Sequence, residues 1–127
     1  MSNVNKKIKG TKVGEYNGIK FRSQLEIKVA KYLIASNIPF EYESLKLLLL
    51  PSFKYHNQTF RSVHYTPDFK CGDYLIEVKG YPNDVWKLKR KLVANYILTN
   101  NLPYKFREVH SVQELKKVID EINNSKK

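Results

Sequence analysis

Residues 65–80, YTPDFKCGDYLIEVKG, constrain the fold more than any other part of this 127-residue chain. Gly72-Asp73 separates two runs of strand-forming residues, and a two-residue loop with Gly first suits a type II′ hairpin turn. That turn dictates the register. Cys71 faces Tyr74, and continuing the pairing sets Asp68 opposite Glu77 and Thr66 opposite Lys79. Side chains alternate along a strand, so Pro67, Phe69, Ile76 and Val78 share one apolar face. Asp68, Glu77 and Lys79 share the other.

Carboxylates facing each other across an antiparallel pair lie about 5 Å apart at Cβ and repel. A divalent cation would hold both, since Mg²⁺ takes oxygen ligands and keeps several waters. Lys79, on the same side, would offset the charge and orient or activate a water. The plain alternative is a solvated face on which Lys79 is a counter-ion. An isolated E-x-K in a strand argues for that alternative, whereas the matching Asp68 across the hairpin argues for a metal.

The rest of the chain alternates strand and helix signals. Residues 1–12 carry Lys6, Lys7, Lys9 and Lys12 and read as a flexible basic arm. Asn17-Gly18 predicts a hairpin between strands at 13–16 and 19–21. Ser23 followed by Glu26 is a capping box, and the helix it starts ends near Asn37, before Ile38-Pro39. Residues 40–50 read as one strand closed by Pro51, and 53–69 as two strands around His56-Asn57. Asn83 or Asp84 caps a second helix, with Val85, Leu88, Leu92, Tyr96 and Ile97 as its apolar side. A strand over 103–109 and a helix capped by Ser111 and Glu114 follow, with 124–127 as a tail. The order predicts a mixed α/β fold around one sheet, as a single domain over 13–123.

On the first helix Leu25, Val29, Ala30, Tyr32, Leu33 and Ile34 form an apolar arc, and Glu26 projects from its middle. An acid there is costly unless paired or bound to metal. Bonding to the Ser23 amide within the capping box explains it equally well.

The chain holds 23 Lys+Arg against 12 Asp+Glu, a formal net charge of +11. That excess favours a polyanion, nucleic acid first and an acidic membrane surface second. Lys87, Lys89, Arg90 and Lys91 lie on the second helix outside its apolar stripe, as phosphate-contacting residues would. Lys20, Arg22 and Arg61 are further candidates for phosphate contact. No apolar run follows the basic N-terminus and none is long enough to span a bilayer, so no membrane association is expected. The single cysteine, Cys71, allows no internal disulfide, and a reducing cytoplasm is the simplest setting. No partnered base marks Cys71 as a nucleophile, no Cys/His spacing suggests zinc, and His56, His64 and His110 form no pattern.

Glu26 on a first helix, Pro67-Asp68 on a strand and Glu77-x-Lys79 on the next together resemble the PD-(D/E)XK nuclease superfamily. Within it, NGIKFRSQLE, YTPDF, IEVKG and the basic helix VWKLKRKL resemble a set of small phage proteins of poorly defined function. SQLEIKVAKYLIASNIPFEYES with YTPDF and IEVKG is also similar to phage endonuclease I, the junction-resolving family, although the region after Gly80 is not. The resemblance to the small phage proteins spans residues 16–109. It implies a restriction-endonuclease-like central mixed sheet flanked by helices, and Mg²⁺ or Mn²⁺ as cofactor. Phosphodiester hydrolysis is the implied activity, with resolution of branched DNA or Holliday junctions the favoured form. A nicking, restriction-like or transposase-end-cleaving nuclease is an alternative, as is a non-catalytic DNA-binding regulatory protein on the same fold. Asp68 and Glu77 would be metal ligands, with Glu26 and the backbone carbonyl of Val78 as further ones. Lys79 would position or deprotonate the attacking water. A homodimer and a phage or prophage origin, acting in the host cytoplasm, are also implied.

Overall fold

The structure, a computed structural model, describes residues 14–126, so the basic arm at 1–12 and the start of the first strand lie outside the described residues. In chain order the first elements are β1 (Gly14–Tyr16), β2 (Ile19–Phe21), α1 (Gln24–Ala35), β3 (Glu41–Tyr42) and β4 (Leu47–Leu50). Then come β5 (Phe53–Tyr55), β6 (Gln58–Phe60), β7 (Val63–Tyr65), β8 (Phe69–Cys71) and β9 (Tyr74–Val78). The chain ends with α2 (Asp84–Thr99), β10 (Lys105–Val109) and α3 (Val112–Ser125). The fold is mixed α/β, as expected. It divides into two compact units, one up to Pro39 and again from Val109, the other Phe40–Glu108.

In the first unit Asn17 and Gly18 both take positive φ, 57° and 80°, as a type I′ turn demands, and Gly14 pairs with Phe21. Ser23 caps α1 by accepting from the Glu26 amide at 3.1 Å. The helix closes in a Schellman motif. Asn37 stands at φ 57°, its amide donates to Ile34 O at 3.0 Å, and the Ile38 amide donates to Leu33 O at 2.9 Å. Ile27, Val29, Ala30 and Leu33 are buried, but Tyr32 and Ile34, expected on the apolar arc, are exposed. α3 buries Leu115, Val118, Ile119 and Ile122 and packs on α1. It runs to Ser125, so helix takes in the first two residues of the segment expected as a tail.

The second unit holds a four-stranded sheet in the order β10-β9-β8-β3. Its central hairpin has the predicted register: Phe69 pairs with Ile76 and Cys71 with Tyr74. Gly72 takes φ 61° while Asp73 keeps negative φ, as a II′ turn requires. All five residues of β9 are buried. Beyond this sheet, β4 pairs with β7 and β5 with β6 as separate two-stranded ladders, so the strands do not all join the single expected sheet.

Three further expectations need correction: residues 53–69, expected as two strands, hold β5, β6 and β7, with a break at 61–62, before β8 begins at Phe69. The run 40–50 is two strands, broken where Glu43 turns at φ 51°. On α2 the buried residues are Trp86, Val93 and Ile97, whereas Val85, Leu88 and Leu92 are exposed. Two overlapping apolar stripes compete on this helix. The one carrying Trp86 is inward, packed with Leu47, Tyr65 and Leu75, because an indole removes far more apolar surface from water than a Val or Leu.

Candidate functional site

The β8–β9 ladder ends at the Phe69–Ile76 pair, and there the charged residues begin. Asp68, one position before β8, is only 9% exposed. Its Oδ2 accepts from the Val78 amide at 2.7 Å, replacing a backbone ladder bond with a charge-assisted one. On the other side its carbonyl accepts from the Glu43 amide at 3.0 Å, which anchors the backbone to the residue after β3.

Glu77 is 6% exposed. Its Oε1 accepts from the Tyr65 hydroxyl at 2.8 Å, and its Oε2 lies 3.5 Å from Lys79 Nζ. The same ammonium sits 5.0 Å from the centre of the Trp86 ring, within cation–π range. Both carboxylates are therefore held by donors behind them, the arrangement that orients metal-ligating carboxylates. Tyr65 is itself packed between Trp86 and Phe106, with ring centroids 5.8 Å away in each case. Burial first, then the Glu77 charge, raises its phenol far above the ordinary value, so it stays a donor.

Beside these groups lies an open cleft of about 400 Å³, lined by His64, Tyr65, Glu77, Lys79, Trp86 and Lys89 among others. The buried Trp86 indole N–H has no protein acceptor among the described residues, so a ligand oxygen or a water would satisfy it. Cys71 takes no part: it is buried, and burial pushes its thiol up to about 12, too high for a thiolate nucleophile at neutral pH.

The remaining predicted residues divide by unit. Glu26 belongs to the first, buried at the start of α1. Its Oε1 accepts from the Arg22 amide at 2.9 Å rather than from the Ser23 amide, while its own amide donates to Ser23 Oγ. Arg22 and Lys20 are exposed there, and Lys20 faces Glu15 across the β1–β2 pair. In the second unit Lys87, Lys91 and Arg61 are exposed, and Lys89 lines the cleft. Arg90 is committed elsewhere, to Glu108 at 3.0 Å. Sequence reasoning missed Tyr65, which a strand pattern marks only as apolar; its role follows from its hydroxyl bond to Glu77, twelve residues on.

Residues 5–118 match the family described as "Protein of unknown function (DUF1064)". The chain belongs to the DUF1064 family. No curated protein and no solved structure matches it. For this DUF1064 chain, no helix among the described residues is long and apolar enough to cross a membrane. Nor do three His, Cys, Asp or Glu side chains group as a metal cluster among those residues. The donor set of the second unit still fits Mg²⁺ or Mn²⁺. Such ions are commonly held by one or two carboxylates, with waters and substrate phosphate completing the shell. Asp68 and Glu77 are two such carboxylates, both buried in the second unit.

Proposed function

We propose that the protein is a metal-dependent endonuclease that hydrolyses DNA phosphodiester bonds, with branched DNA as its favoured substrate. The observation that carries this reading is the pair of buried carboxylates, Asp68 and Glu77, at the end of one ladder, with Lys79 Nζ 3.5 Å from Glu77. The resemblance to PD-(D/E)XK nucleases gives that trio the same roles, and a formal charge of +11 suits a polyanionic substrate.

Asp68, Glu77 and the Val78 carbonyl, all of the second unit, would hold the cation. When bound, the cation supplies a water of lowered pKa and neutralises charge on the phosphate. The chain's own groups do the rest. Tyr65 and the Val78 amide keep the two carboxylates oriented. The Lys79 ammonium, steadied by Glu77 and the Trp86 face, orients the attacking water and stabilises charge on the phosphoryl oxygens. Lys89 in the cleft, with Lys87, Lys91 and Arg61 of the same unit, contacts backbone phosphates without reading sequence. A junction presents two strands to cut, so two copies acting as a homodimer suit it. A phage-encoded enzyme of this kind acts in the host cytoplasm.

A second reading, a DNA-binding protein without catalysis, draws on one observation. Glu77 already accepts from Tyr65 and faces Lys79, so its charge is compensated by protein alone. One experiment separates the two. Supercoiled plasmid and a synthetic four-way junction are incubated with protein in Mg²⁺, Mn²⁺ or chelator, beside Asp68→Asn. Cutting that needs the metal and disappears in the variant is expected. Equal cutting by variant and parent, or none on any substrate, overturns the hydrolase reading.

A further inference from the structure

The β5–β6 hairpin is the least buried part of the second unit: every residue of both strands is exposed. It extends the β4–β7 ladder past the breaks at 51–52 and 61–62, so residues 47–65 form one long two-stranded arm. The arm is rooted at Tyr65, whose hydroxyl bonds Glu77. Its tip is His56-Asn57, both at positive φ (51° and 61°), the I′ geometry. Nine residues separate tip from root, a reach of up to about 30 Å.

Its composition is unusual for a solvated loop. Phe53 pairs with Phe60 and Tyr55 with Gln58, so the three rings share one face. Phe53 and Phe60 stack with centroids 5.0 Å apart and planes 13° from parallel. Yet Phe53 is 44% exposed, Phe60 36% and Tyr55 72%. Lys54 and Thr59 occupy the opposite face. Between Ser44 and Pro67 there is no Asp or Glu, while Lys46, Lys54 and Arg61 are cationic. Contiguous exposed aromatic surface marks an interaction site, and this one is joined to positive charge with no carboxylate to repel a phosphate.

We propose that this hairpin is a base-stacking arm for unpaired nucleotides of DNA. Aromatic π-faces stack on any base, and neighbouring cations track the backbone. Bases inside a duplex are already stacked on one another, so the aromatic face selects single strands, frayed ends and branch points. The inference deepens the DNA reading given above, since it names the feature of branched DNA that the protein grips. It does not require hydrolysis.

The test is binding in chelator, where no cutting occurs. A labelled single strand and the duplex of the same sequence are titrated with parent, Tyr55→Ala and Tyr55→Phe, and 2-aminopurine in the strand reports stacking. Tyr55 carries the substitution because it stands outside the Phe53–Phe60 stack and its removal spares the fold. Tyr55→Ala is expected to weaken single-strand binding about ten-fold, to change duplex binding less than about two-fold, and to abolish 2-aminopurine quenching. Tyr55→Phe restores all three. Unchanged single-strand affinity overturns the inference. So does equal loss on both DNAs, or dissociation of a dimer in Tyr55→Ala, which would make the arm a protein interface. Hydrolysis is judged separately: a protein that cuts no DNA yet binds single strands through Tyr55 loses the nuclease reading and keeps this one. A protein that cuts DNA with Tyr55→Ala unaltered does the reverse.

Discussion

Two hairpins of the second unit share a plan and differ in fate. β5–β6 and β8–β9 each join three or more residues per strand through a two-residue turn with positive φ. β8–β9 is buried almost throughout, flanked by β3 and β10, whereas β5–β6 is exposed along its whole length. Turn chemistry makes a hairpin in both cases, but only tertiary packing makes one rigid, because an isolated two-stranded ribbon is marginal in water. The consequence is chemical. In the packed hairpin, burial goes with donors for both carboxylates, the Val78 amide for Asp68 and the Tyr65 hydroxyl for Glu77. In the open one, aromatic rings that would normally supply core remain available to a partner.

The largest expected effect that sharpens this contrast comes from removing one ring in each hairpin. Phe69 is fully buried and meets Phe40 and Tyr42 edge-on at 5.2 and 5.5 Å. Phe69→Ala should lower stability by about 3–5 kcal/mol in urea unfolding. Phe60→Ala, losing only its stack with Phe53, should cost about 1 kcal/mol or less. Comparable losses would show that the open hairpin is as much a part of the core as the buried one.

Next in size is Tyr65→Phe, which takes from Glu77 a buried donor and should cost about 1–3 kcal/mol. The pH dependence has a definite sign. The folded phenol holds its proton far above the ordinary value of 10.0. The stability this provides is therefore full below pH 10 and lost as pH rises above it. Denaturation curves from pH 8 to 11 should show parent protein losing more stability across this range than Tyr65→Phe. Parallel curves would mean that the phenol is not held by burial and Glu77.

The smallest effects lie in the turns. Gly72→Ala forces a Cβ onto φ 61° in the packed hairpin and should cost about 1–2 kcal/mol. Asn57→Gly relaxes the same strain at φ 61° in the open one and should be neutral or gain a few tenths of a kcal/mol. Thermal unfolding of the two variants measures both. A cost at Asn57 would show that its side chain, not its backbone conformation, shapes the tip.

Much of this was legible from residues alone where the signal is local. Gly72-Asp73 specified the β8–β9 register, Phe69 with Ile76 and Cys71 with Tyr74. Ser23, Asn83 and Ser111 cap their helices as their positions suggest. What escaped depends on long-range packing. Glu43 breaks a strand without the Gly or Pro that usually marks such a turn. The periodicity of α2 admits two stripes, and only contact with Leu47, Tyr65 and Leu75 shows that the Trp86 stripe is inward. Tyr65 acquires its role through a hydroxyl bond to Glu77, twelve residues on, which no local pattern announces. Arg90, grouped with its basic neighbours by charge, is drawn to Glu108 by the same long-range folding.

The proposed hydrolysis requires Asp68 and Glu77, at the packed hairpin, to hold a divalent cation. The most direct test of that binding is titration of Mn²⁺ into the protein, followed by the loss of the free-ion electron paramagnetic resonance signal, for parent, Asp68→Asn and Glu77→Gln. Each variant keeps a carbonyl oxygen able to accept from the Val78 amide or the Tyr65 hydroxyl, and circular dichroism confirms that it is folded. Saturable Mn²⁺ binding by the parent is expected, reversed by excess Mg²⁺ and weakened at least about ten-fold in each variant. Mn²⁺ binding of equal strength in all three proteins, or none in the parent, would contradict it.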